Sequence, residues 1–310
     1  MTLFEPGSGL PTPHIRLDVP YDLIQGIRAA HALMECNEFT IQIPQDQVAK
    51  FAVLRKVFRP KFTIGDDAPL AKGLVRLEHD LPKVVVGAIV RPLLFPHAVL
   101  DECRRLWSDG RSVGFFFSGF VTDRRLATLE GWWRRWRFSS SPDWESVASL
   151  RRRRLSLLVR AISRPFRRPR TTGDLVIWNS ERGRRFPVKA WDREYQELLG
   201  RSRFVLCPNG DFIWTYRFYE AAMCGAIPVV EDACPLYDGF RFYRMSDDPR
   251  ELTWDPSIAE HNFALVRELL TVPPEGLAAV VKAYLATTEA QHGCLEYRHS
   301  INHHDSAVVR

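Results

Sequence analysis

The chain has 310 residues, of which 45% are hydrophobic and 26% charged, and its formal net charge is +6. This composition is ordinary for a folded globular protein, and the six scattered cysteines exclude a disulfide scaffold. The charge is uneven: from Arg124 to Arg203, 21 Arg and Lys oppose 8 Asp and Glu, giving +13 and leaving −7 elsewhere. Such polarity favours an anionic partner, such as a nucleotide, a lipid surface or a nucleic acid.

Residues 1–108 are predicted to form a smaller α/β domain. Apolar spacing predicts its elements in chain order as a helix at 21–36, a strand at 39–43, a helix at 48–58, a buried strand at 84–90 and a helix at 97–107. Gly110 marks the expected hinge to the next domain.

Residues 109–285 alternate between continuous apolar runs and segments of helical spacing. The runs, typical of strands covered on both faces, are 113–117, 175–178, 204–207 and 226–230, with 240–243 as a fifth candidate. Helices are predicted at 126–136, 144–162 and 191–199, and the end of the domain, 258–286, is also helical. This alternation predicts a doubly wound parallel sheet, followed by a loosely held tail at 286–310.

Residues 203–232 are the most informative stretch. A buried strand ends at Pro208, and turn residues follow at 209–211. Thr215 is a plausible N-cap for a helix at 216–224, and Gly225 stands where a left-handed C-terminal cap belongs. The strand–loop–helix–strand unit offers a helix N-terminus to an anion at the carboxyl end of the strand.

Arg217 and Glu220 lie three residues apart near the start of that helix and therefore share one face. A fixed cation there suits a diphosphate, and a carboxylate one turn later suits ribose hydroxyls. The layout predicts a nucleotide-sugar site, although a surface ion pair is the simpler alternative. The loop residues Asn209, Gly210 and Asp211 would face the same crevice.

These residues resemble the exostosin-like glycosyltransferases and, more loosely, other GT-B sugar transferases. The pattern Ser-Arg-Phe-x-Leu-Cys-Pro-x-Gly occupies 202–210, Arg-x-x-Glu-Ala occupies 217–221 and Gly-x-Ile-Pro-Val occupies 225–229. A second match, 111–119, looks like the strand that opens the nucleotide-binding domain of that family, and Arg124 or Arg125 follows it. The resemblance implies a GT-B fold with two Rossmann-like domains facing a central cleft, in which 109–285 binds the donor.

The resemblance also implies an activity, the transfer of a sugar from a UDP- or GDP-linked donor to a hydroxyl of a glycan or polysaccharide. The reaction would invert the sugar and need no metal or other cofactor. Arg217 is the expected catalytic residue, since it would neutralise the departing diphosphate. The expected donor-binding residues are Arg217, Glu220, Asn209, Gly210, Thr215, Gly119 and Arg124.

A general base would come from the first domain if the reaction inverts the sugar. The candidates are the acidic and histidine residues Asp66, Asp67, Glu78, His79 and Asp80, and the sequence does not decide among them. For Glu231 and Asp232, after the next strand, a capping or surface role is favoured over a metal or sugar contact.

Two further clusters have simpler explanations. Trp132, Trp133 and Trp136 share one face of a helix, which favours a core stripe. With the Arg-rich 134–170 region, the alternative is peripheral contact with an anionic membrane near a lipid-linked acceptor. The histidines and cysteine of 292–304 match no standard zinc pattern, so a frayed tail is favoured.

Two rival functions remain open. One is a fucosyltransferase-like enzyme using GDP-fucose, although its comparable helix carries Glu then Lys, and this one carries Arg then Glu. The other is a non-catalytic basic protein that binds nucleic acid or a membrane surface, although no recognised nucleic-acid-binding module occurs. The six cysteines without a disulfide framework predict a protein of the reducing cytoplasm, and peripheral contact at the inner face of the membrane is a further expectation. The sequence shows no signal-peptide pattern and no apolar run of 18 residues.

Overall fold

The computed structural model describes residues 12–78, 80, 82–120, 122–136, 170–172, 175–179 and 182–287. The chain divides into two compact units. The first contains residues 1–51, 59–96 and 272–310, and the second contains 52–58 and 97–271. These units differ from the predicted domains, because the segment 97–108 groups with the second unit and the helix after 272 returns to the first.

The first unit contains a parallel sheet of four described strands. Its elements, numbered here along the whole chain, are β1 (His14–Leu17), α1 (Ile24–Met34), β2 (Thr40–Ile43), β3 (Phe62–Ile64) and β4 (Leu70–Ala71). The strand order is β3-β2-β1-β4, with all neighbours parallel. This is the order with which a Rossmann sheet begins.

The predicted single strand at 84–90 is wrong, because the chain forms a hairpin there. Three antiparallel strands follow one another: β5 (Val75–Glu78), β6 (Lys83–Val86) and β7 (Ile89–Arg91). Gly87, with φ +56°, turns the chain between β6 and β7 in a conformation that suits glycine. The continuous apolar run concealed this turn.

The second unit is built on one larger sheet. Its strands are β8 (Val113–Gly119), β9 (Arg170–Thr172), β10 (Leu175–Asn179), β11 (Ser202–Cys207), β12 (Ile227–Val230) and β13 (Tyr243–Arg244). Its helices are α2 (Ala52–Val57), α3 (His97–Arg105), α4 (Asp123–Trp136), α5 (Arg193–Gly200), α6 (Tyr216–Met223) and α7 (Pro256–Leu270). The strands and helices predicted for this part of the chain are observed as strands and helices. The helix predicted at 144–162 lies outside the described residues.

The sheet order is β13-β12-β11-β8-β10-β9, and only β9 runs antiparallel to its neighbour. Counted along the chain, the five parallel strands therefore have the doubly wound order 2-1-3-4-5. In such sheets ligands bind at the carboxyl edge where the order reverses, which here lies between β8 and β11. The protein is thus a mixed α/β protein with Rossmann-like parallel sheets.

The core of the second unit explains why these apolar runs form strands. Phe115 of β8 stacks on Phe204 of β11 with ring centroids 5.0 Å apart, and Trp132 of α4 packs edge-on against Phe115 at 5.2 Å. Burial of each such ring contributes about 2–3 kcal/mol. Trp132 confirms the predicted core-facing role, whereas the side chains of Trp133 and Trp136 lie outside what the structure describes.

The stretch Pro256–Thr287 is, by length and composition, apolar enough to cross a membrane. In the structure it is two helices, α7 and a further helix over 274–287 (α8), separated by non-helical residues 271–273. Since Pro273 and Pro274 stand at this break and the two helices belong to different compact units, the stretch is weak evidence for a membrane span.

Candidate anion site at the switch point

The helix α6 begins and ends as its sequence predicts. The Thr215 hydroxyl accepts a hydrogen bond from the Arg217 amide at 3.4 Å, and the Tyr237 hydroxyl accepts one from the Thr215 amide at 2.9 Å. At the other end Gly225 has φ +71°, and the Ala226 amide bonds to the Ala221 carbonyl at 3.0 Å. This is the Schellman arrangement that a glycine after a helix predicts.

Arg217, in the first turn of α6, reaches across to the end of β8. Its side chain is only 7% exposed, its Nε atom donates to the Ser118 carbonyl at 2.7 Å, and its guanidinium lies 4.5 Å from the centre of the Phe117 ring. Within the described part of the chain, its Nη1 atom is buried and has no hydrogen-bond partner. A buried cationic donor in this state is well suited to an anion.

Arg125 lies on α4, the helix that follows β8, and reaches the same edge of the sheet. Its Nε donates to the Asn209 carbonyl at 3.2 Å, and its Nη1 donates to the Phe120 carbonyl at 3.0 Å. Partial burial, and then the charge of Arg217, lower the pKa of Arg125 to about 10. Like charge therefore accumulates here, and a bound anion would relieve it.

Arg184 adds a third cation to this edge. Its guanidinium lies 4.1 Å from the centre of the Phe120 ring, and its charge also lowers the pKa of Arg125. The exposed Asp211 acts in the opposite direction on Arg125. Among the described residues, no carboxylate lies within salt-bridge distance of Arg125 or Arg217. We call Arg125, Arg184 and Arg217 the arginine cluster.

Two glycines allow the arginines to reach the strand ends. Gly119 has φ +146°, and a Cβ atom there would overlap the Nη2 atom of Arg217. A Cβ atom at Gly210 would overlap the Nη2 atom of Arg125. Both glycines thus lie at the predicted crevice, in direct contact with the cations rather than in open turns.

Asn209 is held in place by the carboxylates that follow β12. Its amide donates to Glu231 at 2.9 Å, and its side-chain nitrogen donates to Asp232 at 2.6 Å. The Asn209 side chain is 2% exposed, and its Oδ1 atom is buried without a hydrogen-bond partner in the described chain. Glu231 and Asp232 therefore position the loop, in line with the structural role favoured for them.

Glu220, one turn after Arg217, contacts α5. Its Oε2 atom accepts a hydrogen bond of 2.9 Å from the Tyr195 hydroxyl, and its side chain is half-buried. Burial, and then the charge of Glu220, raise the pKa of Tyr195 well above its ordinary value. Tyr195 is not among the predicted site residues, because a tyrosine in an amphipathic helix carries no signal of its own.

The other predicted site residues lie elsewhere or are not described. Arg124 is exposed on α4, so that Arg125 is the member of the pair that reaches the crevice. Glu78 ends β5 and pairs with Lys83 at 3.0 Å, and His79 lies outside the described residues. Asp67 accepts a hydrogen bond of 2.5 Å from Gln42, which lowers the pKa of Asp67. The identity of a base therefore stays a prediction.

Among the described residues, no group of three or more His, Cys, Asp or Glu side chains is placed to hold a metal ion. The histidines and cysteine of 292–304 and most of the Arg-rich 134–170 region lie outside the described chain. Metal independence and membrane contact accordingly stay predictions.

In a comparison with known protein families, residues 175–238 match the family described as the RXYLT1 C-terminal domain. No curated protein and no solved structure matches the chain. The matched stretch is about a fifth of the chain and carries Arg184, Tyr195, Arg217 and Glu220. The family is xylosyltransferase-related rather than the exostosin family itself, so the match supports a glycosyltransferase at the level of the family.

Proposed function

We propose that the protein is a glycosyltransferase that binds a nucleoside diphosphate sugar at the switch point of its larger sheet and transfers the sugar to a hydroxyl of a glycan. One observation carries the proposal: the buried Arg217, whose Nη1 atom has no partner in the described chain, meets Arg125 where β8 and β11 end. The family match over 175–238 agrees with this activity.

The arginine cluster accounts for both binding and catalysis. When the acceptor hydroxyl attacks the anomeric carbon, it passes its proton to a general base, the bond to the diphosphate breaks and negative charge grows on the departing oxygen. Arg217 and the amides at the start of α6 would stabilise that charge more in the transition state than in the bound donor. Arg125 and Arg217 are already fixed by backbone carbonyls, so little reorganisation accompanies the reaction.

Several finer features belong to the same proposal. They are a GT-B arrangement with the first unit on the acceptor side, inversion of the sugar, independence of metal, and a cytoplasmic location with contact at the inner membrane face. Because the matching family is xylosyltransferase-related, xylosyl donors are the first sugars to test.

The test is calorimetric titration with UDP, GDP, CDP and dTDP, without added metal. The variants are Arg217→Met, which removes the charge at similar volume, and Arg203→Ala, which removes an exposed arginine at the amino end of β11. We expect one nucleotide to bind the wild type and the Arg203 variant alike. Affinity for it should fall at least tenfold in the Arg217 variant, because a hydrogen bond between charged groups is worth about 1.5–3 kcal/mol.

A charge-driven binding protein would behave differently. Arg203→Ala and Arg217→Met would then lower affinity equally, and binding would weaken steeply with salt for all four nucleotides. That result, or the absence of binding to any of them, would overturn the proposal. Melting curves recorded without ligand exclude unfolding of the Arg217 variant as the cause.

A further inference from the structure

Tyr195 stands out because its hydroxyl donates to a carboxylate in the candidate site rather than to a backbone carbonyl. The hydrogen bond to the Oε2 atom of Glu220 measures 2.9 Å and joins α5 to α6. An ionised carboxylate only accepts hydrogen bonds, and a neutral phenol supplies one donor, so Tyr195 is the donor and Glu220 is the acceptor. It fixes one oxygen of a side chain that is otherwise long and rotatable.

Tyr195 is itself held from several directions. The Asp192 carboxylate caps α5 and accepts a hydrogen bond from the Tyr195 amide at 3.4 Å. The Tyr195 ring lies 6.1 Å from the ring of Phe116 in β8. Its neighbour Gln196 is buried and accepts a hydrogen bond from the Cys224 thiol at 3.2 Å. These contacts fix the position of the Tyr195 ring, and therefore the position of the hydroxyl that bonds to Glu220.

Glu220 is half-buried as a residue, and the hydrogen bond from Tyr195 uses only its Oε2 atom. It lies on the first two turns of α6, where Arg217 points toward the end of β8. Within the proposed function, the diphosphate would lie at Arg217 and the ribose would follow one helical turn away. A carboxylate fixed in advance can accept hydrogen bonds from vicinal hydroxyls at a lower entropic cost.

We propose that Tyr195 is a positioning residue that orients Glu220 toward the ribose of the donor and thereby makes the site selective for ribonucleotides. This inference rests on the proposed nucleotide site, and it adds a specificity residue to it. The selectivity arises because a site built to receive the ribose hydroxyls is left unsatisfied by a sugar that lacks them.

The test compares the nucleoside diphosphate that binds in the titration described above with its 2′,3′-dideoxy analogue. Tyr195→Phe removes the hydroxyl and keeps the ring. Tyr219→Phe is the matched control, because Tyr219 lies on α6 beside Glu220 but donates to the Leu236 carbonyl at 2.7 Å. Each protein gives a ratio between the affinities for the two ligands.

We expect the Tyr195 variant to bind the parent nucleotide about five- to tenfold more weakly and the dideoxy analogue nearly unchanged, so that its ratio falls by the same factor. The Tyr219 variant should keep the wild-type ratio. A Tyr195 variant that weakens both ligands equally, or neither, would overturn the inference while leaving the proposed function intact. Wild-type protein that binds no nucleotide would overturn both.

Discussion

Two buried arginines of the second unit allow a direct test of whether Arg217 is reserved for a ligand. Arg111 and Arg217 are 5% and 7% exposed, and both contact aromatic rings. They lie at opposite ends of α6, Arg217 in the first turn and Arg111 against the Cys224 carbonyl beyond the last. We expect replacement by Met to have very different effects on the stability of the empty protein.

The difference can be estimated from their contacts. The helix dipole opposes a cation at the start of α6 and favours one at its end, so the two positions differ by about 1–2 kcal/mol. Arg111 donates to the Ser202 carbonyl at 2.6 Å and to the Cys224 carbonyl at 3.2 Å, whereas Arg217 makes one such bond. The extra bond adds about 1.5–3 kcal/mol. The cost of desolvating the guanidinium is similar for both and cancels.

Arg111→Met should therefore be less stable than Arg217→Met by about 2.5–5 kcal/mol, or roughly 5–20 °C in melting temperature. The stability of Arg217→Met should lie close to that of the wild type, although its affinity for nucleotide should fall at least tenfold. Thermal and urea denaturation of the three proteins without ligand measure this directly. If Arg217→Met were as unstable as Arg111→Met, Arg217 would have a structural role like that of Arg111 and would not be reserved for an anion.

Three further predictions concern other positions. Gly119→Ala should weaken nucleotide binding at least tenfold in the titration, because the added Cβ would displace the Arg217 guanidinium. The control Gly110→Ala should not weaken binding, because a Cβ atom at Gly110 has open space. Equal affinities of the two variants would argue against the contact between Gly119 and Arg217. Burial lowers the pKa of His31 to about 4, against an ordinary 6.5, so protonation favours the unfolded chain as pH falls through this range. Wild-type stability should thus decline by up to about 1.4 kcal/mol per pH unit below 6.5, and His31→Leu should flatten the decline in urea titrations at pH 7, 6 and 5; parallel slopes would contradict this origin. Thr215→Ala should lose about 1 kcal/mol of unfolding free energy through its N-cap, and Thr215→Ser should retain most of it; indistinguishable variants would show that the cap contributes little.

The sequence sufficed for the larger sheet because its local signals agree with one another. The strands β8, β10, β11 and β12 are continuous apolar runs, and such runs are needed where a parallel sheet is covered on both faces. The caps of α6 were predictable for a similar reason, since Thr215 and Gly225 each favour one backbone conformation. These are local properties, so a single sequence contains them.

The site required information that is not local. Whether Arg124 or Arg125 faces the crevice depends on the rotation of α4 about its axis, and one residue changes this by about 100°. Tyr195 and Glu220 are 25 residues apart in sequence, and they come into contact only after α5 and α6 pack together. The hairpin at 83–91 was missed because valine and isoleucine continue through it, leaving Gly87 as the one sign of a turn.

Arg125 and Arg217 at the switch point each bond to the backbone near the other strand of the β8–β11 pair. Arg217, on the helix that follows β11, bonds to the end of β8, whereas Arg125, on the helix that follows β8, bonds to the loop after β11. In a doubly wound sheet the helices after these two strands pack on opposite faces, so the guanidinium groups approach the reversal point from both sides. Each arginine thus bonds to the end of the strand, or to the loop after the strand, that precedes the helix of the other arginine, and Arg125 bonds in addition to the Phe120 carbonyl after β8. A change that shifts β8 against β11 would therefore misplace both cations together, which makes the anion site sensitive to the one strand pair at which the topology reverses.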